Sequence, residues 1–162
     1  MWNLSARYTF KKNINQQMSL NQKSRHIRSI FFQVKSDQMK RDKLVETAQE
    51  YFEKKEPLLF KVPNSQAEDY LDGLLWRWPK HSFLPHVVQN LDCNDLIVIT
   101  ASSNNPNCAR ALFNLTKEPV HNPEFFFTHI YEFDDLSSTF KNKTALNHYQ
   151  TYKKRGYTII TL

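Results

Sequence analysis

Pro57-Leu-Leu-Phe-Lys-Val-Pro-Asn-Ser-Gln-Ala-Glu-Asp-Tyr-Leu-Asp-Gly-Leu-Leu-Trp-Arg-Trp78 changes its hydrophobic period partway along, and that change decides the fold class. As far as Val62 the run is apolar, opened by one proline and closed by another, as a short buried strand is. Beyond it, Ala67, Leu71, Leu74, Leu75 and Trp78 recur at three- and four-residue spacing, the stripe of an amphipathic helix. Ser65-Gln-Ala-Glu68 reads as a capping box at the helix start, its hydroxyl and carboxylate exchanging hydrogen bonds with free N–H groups. Such a cap is worth about 1 kcal/mol. Pro79 stops the helix and biases Trp78 away from helical angles.

The same alternation occurs upstream. Ile30-Phe-Phe-Gln-Val34 predicts a buried strand, and Leu44, Ala48 and Tyr51/Phe52 predict a helix over about 37–55, with Lys54 and Lys55 in its last turn. Strand, helix, strand, helix argues for a parallel sheet with right-handed crossovers. Downstream, Leu96–Thr100, Ala111–Leu115 and Glu124–Phe133 read as further strands, with a turn-rich loop over 101–107. Asp134 and Asp135 suit the N-terminus of a last helix running to Arg155, Gly156 its left-handed stop, and Tyr157–Thr161 a final strand. The expectation is an α/β fold: one domain over 29–162, with a mixed, mostly parallel sheet flanked by helices, Rossmann-like without a glycine-rich phosphate loop.

The helix that begins this reading ends in a concentration of aromatics. Trp76, Trp78, Pro79, Phe83 and Pro85 fall within a helix end and a loop. Trp76 lies off the apolar stripe, roughly opposite its centre at 3.6 residues per turn. The cluster is either a corner packed on itself or a docking site for another protein.

Charge and glycine content narrow the function. The net charge of +6 is concentrated in residues 1–28, which hold six basic side chains and no acidic one; the remainder carries 16 basic and 16 acidic residues. Affinity for DNA would therefore need the tail or a local patch. The basic extension reads as a disordered tail, a start extended upstream of Met18, or an organelle-targeting peptide. With Gly73 and Gly156 alone, no dinucleotide fingerprint, P-loop or glycine-rich kinase loop can be built. Cys93 and Cys108 form no framework and fit a reducing compartment. No apolar run approaches the ~20 residues that cross a bilayer, so a soluble, cytoplasmic protein is expected.

Two stretches together resemble one family. Leu74-Leu-Trp-Arg-Trp-Pro-Lys-His-Ser-Phe-Leu-Pro-His86 is similar to the Leu-Leu-Trp…Ser-Phe-Leu-Pro-His signature of the chi subunit of bacterial DNA polymerase III. Tyr149-Gln-Thr-Tyr-Lys-Lys-Arg-Gly-Tyr157 resembles that family's closing helix-to-strand turn, and the likeness spans about 29–162. It implies a non-catalytic accessory protein of the clamp loader, with polymerase activity in another subunit, no cofactor, and DNA met only indirectly. The partners it implies are psi, or another loader subunit, and the acidic, Phe-ended tail of single-stranded-DNA-binding protein.

On this resemblance, Tyr149, Tyr152, Lys153, Lys154 and Lys143 would take the tail, since carboxylates ending in Phe call for cations beside an aromatic-walled pocket. Trp76, Trp78, Phe83 and Pro85 would meet psi or the loader. Two departures stand out: Leu146 occupies a place where a member of the family carries an arginine, and Trp78 replaces a more usual residue. Read without the resemblance, both tyrosines pack inward and the lysines solvate the helix end.

Other chemistry is thinly supported. His81 and His86, near Asp72, Asp92 and Cys93, lack the paired ligand spacing of a metal site. Ser65, Ser82 and Cys108 lack a glycine elbow for nucleophilic work. An alternative function remains a nucleotide-binding or hydrolytic enzyme using the strand ends of the same scaffold.

Overall fold

The computed structural model describes residues 26–80, 83–123 and 126–162. The readings made for the basic tail, for Met18, and for His81, Ser82 and Glu124 lie outside the described residues.

The elements follow in the order β1 (Arg28–Val34), α1 (Asp37–Glu53), β2 (Leu58–Lys61), α2 (Ser65–Arg77), β3 (Val87–Val88), β4 (Ile97–Thr100), β5 (Ala111–Asn114), β6 (His129–Asp135), α3 (Thr139–Lys154) and β7 (Thr158–Thr161). They form one seven-stranded sheet in the order β3-β4-β2-β5-β6-β1-β7. Every pairing between these strands is parallel, so the sheet is more uniform than the mixed one expected. The α/β architecture read from the sequence is the one that forms.

Helices cover both faces of the sheet, which explains why β2, β4 and β5 are nearly continuous apolar runs. One core holds α1 and α2 against Ile30, Phe32 and Val34 of β1, Phe60 of β2 and Phe113 of β5. The other places Tyr152 of α3 against Ile27, Phe31, Leu112 and Ile130. Successive residues of β1 thus serve opposite cores, and its pairing with β6 and β7 makes it an interior strand, one place in from the β7 edge. Of the predicted inward residues, Leu44, Ala48 and Tyr51 of α1 and Leu71, Leu74 and Leu75 of α2 are buried, Phe52 and Ala67 are partly buried, and Trp78 is exposed.

Four local expectations are corrected. The capping box does not form as read, because Asn64 is the N-cap: its extended backbone brings Oδ1 to accept from Ala67 N–H at 2.9 Å. Glu68 is thereby released to reach across the molecule, accepting the Ala101 N–H at 2.6 Å after β4. The strand expected over Glu124–Phe133 is displaced to His129–Asp135. Phe126 and Phe127 both donate to the Pro123 carbonyl in a turn, and pairing with β5 begins at His129 opposite Ala111.

At its other end β6 follows β1, pairing Val34 with Asp135, so Asp134 and Asp135 finish a strand instead of starting a helix. Ser138 caps α3 by accepting from Lys141 N–H. Finally, α1 ends at Glu53; Lys54 is its C-cap and Lys55 follows at φ 57°, so neither lies in the last turn. Gly156 does adopt the left-handed conformation expected of it, at φ 79°.

Candidate protein-binding surfaces

The last helix carries an unusual charge pattern. Along Thr139–Lys154 there are four lysines, Lys141, Lys143, Lys153 and Lys154, and no carboxylate. Ala145, His148 and Tyr152 turn inward at three- and four-residue spacing. A neighbouring stripe of Asn142, Leu146, Tyr149 and Lys153 borders the edge of the sheet. Between that stripe and the sheet lies a cavity of about 230 Å³, walled by Phe31, Gln33, Leu146, Tyr149 and Thr161.

Tyr149 is half-buried, its ring meeting Phe31 edge-on at 5.9 Å. Lys153 Nζ stands 5.8 Å from the Tyr149 ring centre, a cation over an aromatic face. Leu146 is half exposed and gives the cavity an apolar rim where the resemblance leads one to look for an arginine. Asp134 also faces this space, held by Gln33 Nε2 at 3.1 Å and Asn142 Nδ2 at 3.3 Å. Lys143 and Lys154 are exposed on the same helix.

Tyr152 is placed differently from Tyr149. It is fully buried, donates its hydroxyl proton to Glu132 Oε1 at 2.7 Å, and accepts from Val120 N–H at 2.9 Å. Burial drives its phenol pKa well above the ordinary value, and the Glu132 charge adds to the shift. Spacing puts it near Tyr149 along the helix, but it shares the inward face of Ala145 and His148 and its ring enters the core. It supports the cavity from behind.

The second surface gathers around the end of α2. Trp76 is 51% exposed and Phe83 68%, their rings 5.4 Å apart. Trp76 also packs on His86 at 4.8 Å. The loop is pinned beneath them by Leu84, 2% exposed, and by His86, whose Nδ1 bonds with the Leu84 carbonyl at 2.7 Å. Pro85 between them is half-buried.

Trp78, 43% exposed, has left the helix for an extended conformation under Lys80 Nζ, 5.3 Å above its ring. With Pro79 it closes a cavity of about 200 Å³ against Arg41, Val45 and Gln49 of α1. The off-stripe position of Trp76 had already indicated an outward ring. Trp78 sat on the stripe, yet Pro79 turns it outward as well.

A third cavity, about 280 Å³, opens at the carboxyl ends of β5 and β6, where such folds often bind ligands. Its floor is the pair Glu132 and His148. The carboxylate takes bonds from Asn114, Tyr152 and His148, so most of its acceptor capacity is used inside the protein. Among the described residues no three His, Cys, Asp or Glu side chains gather as a metal-binding group, and no helix is long and apolar enough to cross a membrane.

Several residues of the α3 cavity carry no signal in the sequence. Phe31, Gln33 and Thr161 come from strands, and only the pairing of β1 with β6 and β7 brings them beside α3. No curated protein sequence matches the chain significantly. The family model described as DNA polymerase III chi subunit, HolC, matches residues 27–160, beginning at the buried Ile27 that leads into β1 and ending inside β7. Since the match takes in both aromatic surfaces and nearly the whole chain, the chain belongs to the DNA polymerase III chi subunit family, accessory proteins of that polymerase complex.

Proposed function

We propose that this chain is a non-catalytic connector in the replicative clamp loader. It holds the acidic C-terminal tail of single-stranded-DNA-binding protein at the α3 cavity, and psi or another loader subunit at the Trp76 surface. The observation that carries this reading is the pairing of Tyr149 with Lys153 beside an aromatic-walled cavity, on a helix with lysines and no carboxylate. An acidic peptide ending in Phe needs both features: a hydrophobic slot for the ring and cations for the carboxylates. Lys143 and Lys154, exposed on another face of the same helix, add to its positive charge, while Tyr152 positions Tyr149's helix from within.

The Trp76 surface suits a partner segment that closes over exposed aromatics. Binding hot spots concentrate in such rings, and Trp76, Trp78 and Phe83 are presented by a helix end and a loop anchored through Leu84 and His86. Contact with DNA is indirect, through these two partners, and the site of action is the cytoplasm.

A labelled acidic peptide with and without its final Phe tests the tail assignment. The Phe-ended form should bind at least tenfold more tightly, and its affinity should fall as salt screens the lysines. Equal binding of the two peptides sinks the assignment.

A further inference from the structure

The two edges of the sheet are not treated alike. At one, β3 is only Val87–Val88, too short to template another strand. At the other, β7 is Thr158-Ile-Ile-Thr161, with no charged residue, proline or bulge to discourage pairing. Among the described residues no strand follows it.

Hydrogen bonding shows which groups β7 leaves open. Thr158 N–H donates to Ile27 O at 2.9 Å, Leu162 N–H to Phe31 O at 2.9 Å, and Gln33 N–H to Leu162 O at 2.8 Å. A parallel strand turns alternate residues to alternate sides, so Thr158, Ile160 and Leu162 serve β1. Ile159 and Thr161 therefore aim their N–H and C=O away from the sheet. Thr161 also walls the α3 cavity, so this open backbone runs directly into the aromatic slot.

We infer that the acidic peptide binds in extended form as an eighth strand on β7, parallel to it, with its terminal aromatic ring in the Tyr149 cavity. This rests on the tail-binding reading above and adds how the peptide's backbone is held. The direction follows from charge. The cavity lies at the Thr161 end of β7, whereas Lys153 and Lys154 lie just before the Gly156 turn, at the Thr158 end. A peptide whose ring sits at Thr161 and whose preceding carboxylates meet those lysines must run the same way as β7. Strand addition supplies backbone affinity that is indifferent to side chains, leaving the ring and the carboxylates to supply selectivity.

The test uses the full chain with a Phe-ended acidic peptide and two versions N-methylated at alternate amides. One version should lose at least tenfold in affinity, because its blocked amides face β7, and the other should lose less than twofold. In the same complex, amide exchange at Ile159 and Thr161 should slow. If the unmodified peptide fails to bind, both the tail-binding reading and the strand addition are overturned. If it binds, but both methylated versions bind equally and exchange is unchanged, strand addition alone is overturned. Protection of Ile159 and Thr161 in the free chain that disappears on deleting residues 2–25 also overturns it, by showing the chain's own segment on that edge.

Discussion

Glu132 and His148 face each other across the contact between β6 and α3, with His148 Nδ1 3.0 Å from Glu132 Oε2. The opposite ring nitrogen lies 2.9 Å from the Lys117 carbonyl oxygen. Both neighbours offer acceptor oxygens, an arrangement that favours the doubly protonated, cationic imidazole. Burial works against that charge, but the Glu132 hydrogen bond and charge outweigh it and raise the His148 pKa above its ordinary 6.5.

A histidine with a raised folded-state pKa contributes stability that is complete below the ordinary value and is lost as pH rises through the raised one. Wild type should therefore lose more stability between pH 6 and pH 9 than His148→Gln does, measured as the difference in urea midpoints. Parallel pH profiles for the two proteins would show that the ring is neutral in the fold. Glu132→Gln leaves the buried imidazolium without its counter-charge and should cost about 3–5 kcal/mol.

Tyr149 and Tyr152 should separate cleanly. Tyr149→Ala and Lys153→Glu should each weaken a Phe-ended acidic peptide by about tenfold, equivalent to about 1.4 kcal/mol, with little change in melting temperature. Tyr152→Phe strands the Val120 N–H and removes one of the two bonds to Glu132 Oε1, which keeps Asn114 Nδ2, costing about 1–3 kcal/mol of stability. Peptide affinity, measured where that variant is folded, should change less than twofold. The reverse pattern would move the binding surface to the other side of α3.

How much of this the sequence reveals depends on whether a feature is local. The βα unit from Pro57 to Trp78 can be read because its strand and helix each carry their own period. Gly156 can be read because a helix stop before a strand favours its conformation. By contrast, the ends of β6 are set by β5 and β1, distant in sequence, and no local pattern marks Asp134 and Asp135 as strand residues. The inward turn of Tyr152 is likewise decided by Glu132 and Val120, which lie 20 and 32 residues away. The α3 cavity is half visible: its helical wall is read from Tyr149 and Lys153, while its strand wall waits on the sheet order.

The start of α2 offers a sharp check on cap chemistry. Asn64 Oδ1, and not the Ser65 hydroxyl, accepts the Ala67 N–H. Asn64→Ala should lower stability by about 1 kcal/mol, and Ser65→Ala should lie within the few tenths typical of an exposed helical position. Glu68→Gln keeps an acceptor for Ala101 N–H but loses the charge, so it should fall between them. Chemical denaturation of the three variants orders the effects, and a larger loss for Ser65→Ala would restore the capping box.

Trp76→Ala discriminates between a docking surface and a self-packed corner. Half of the ring already meets solvent, and its neighbours are Phe83, itself exposed, and His86, which keeps its own bond to the Leu84 carbonyl. Truncation removes contact with those two rings but opens no cavity in either core, so the stability cost should stay near 1 kcal/mol, well below the 3–5 kcal/mol of a buried tryptophan. Hot-spot aromatics, in contrast, commonly cost a partner 2 kcal/mol or more when truncated, about thirtyfold in affinity. Pull-down of the loader by full-length Trp76→Ala should therefore fail while its melting temperature shifts by a few degrees. Intact association with a large thermal loss would assign the ring to the fold and remove this surface from the loader contact.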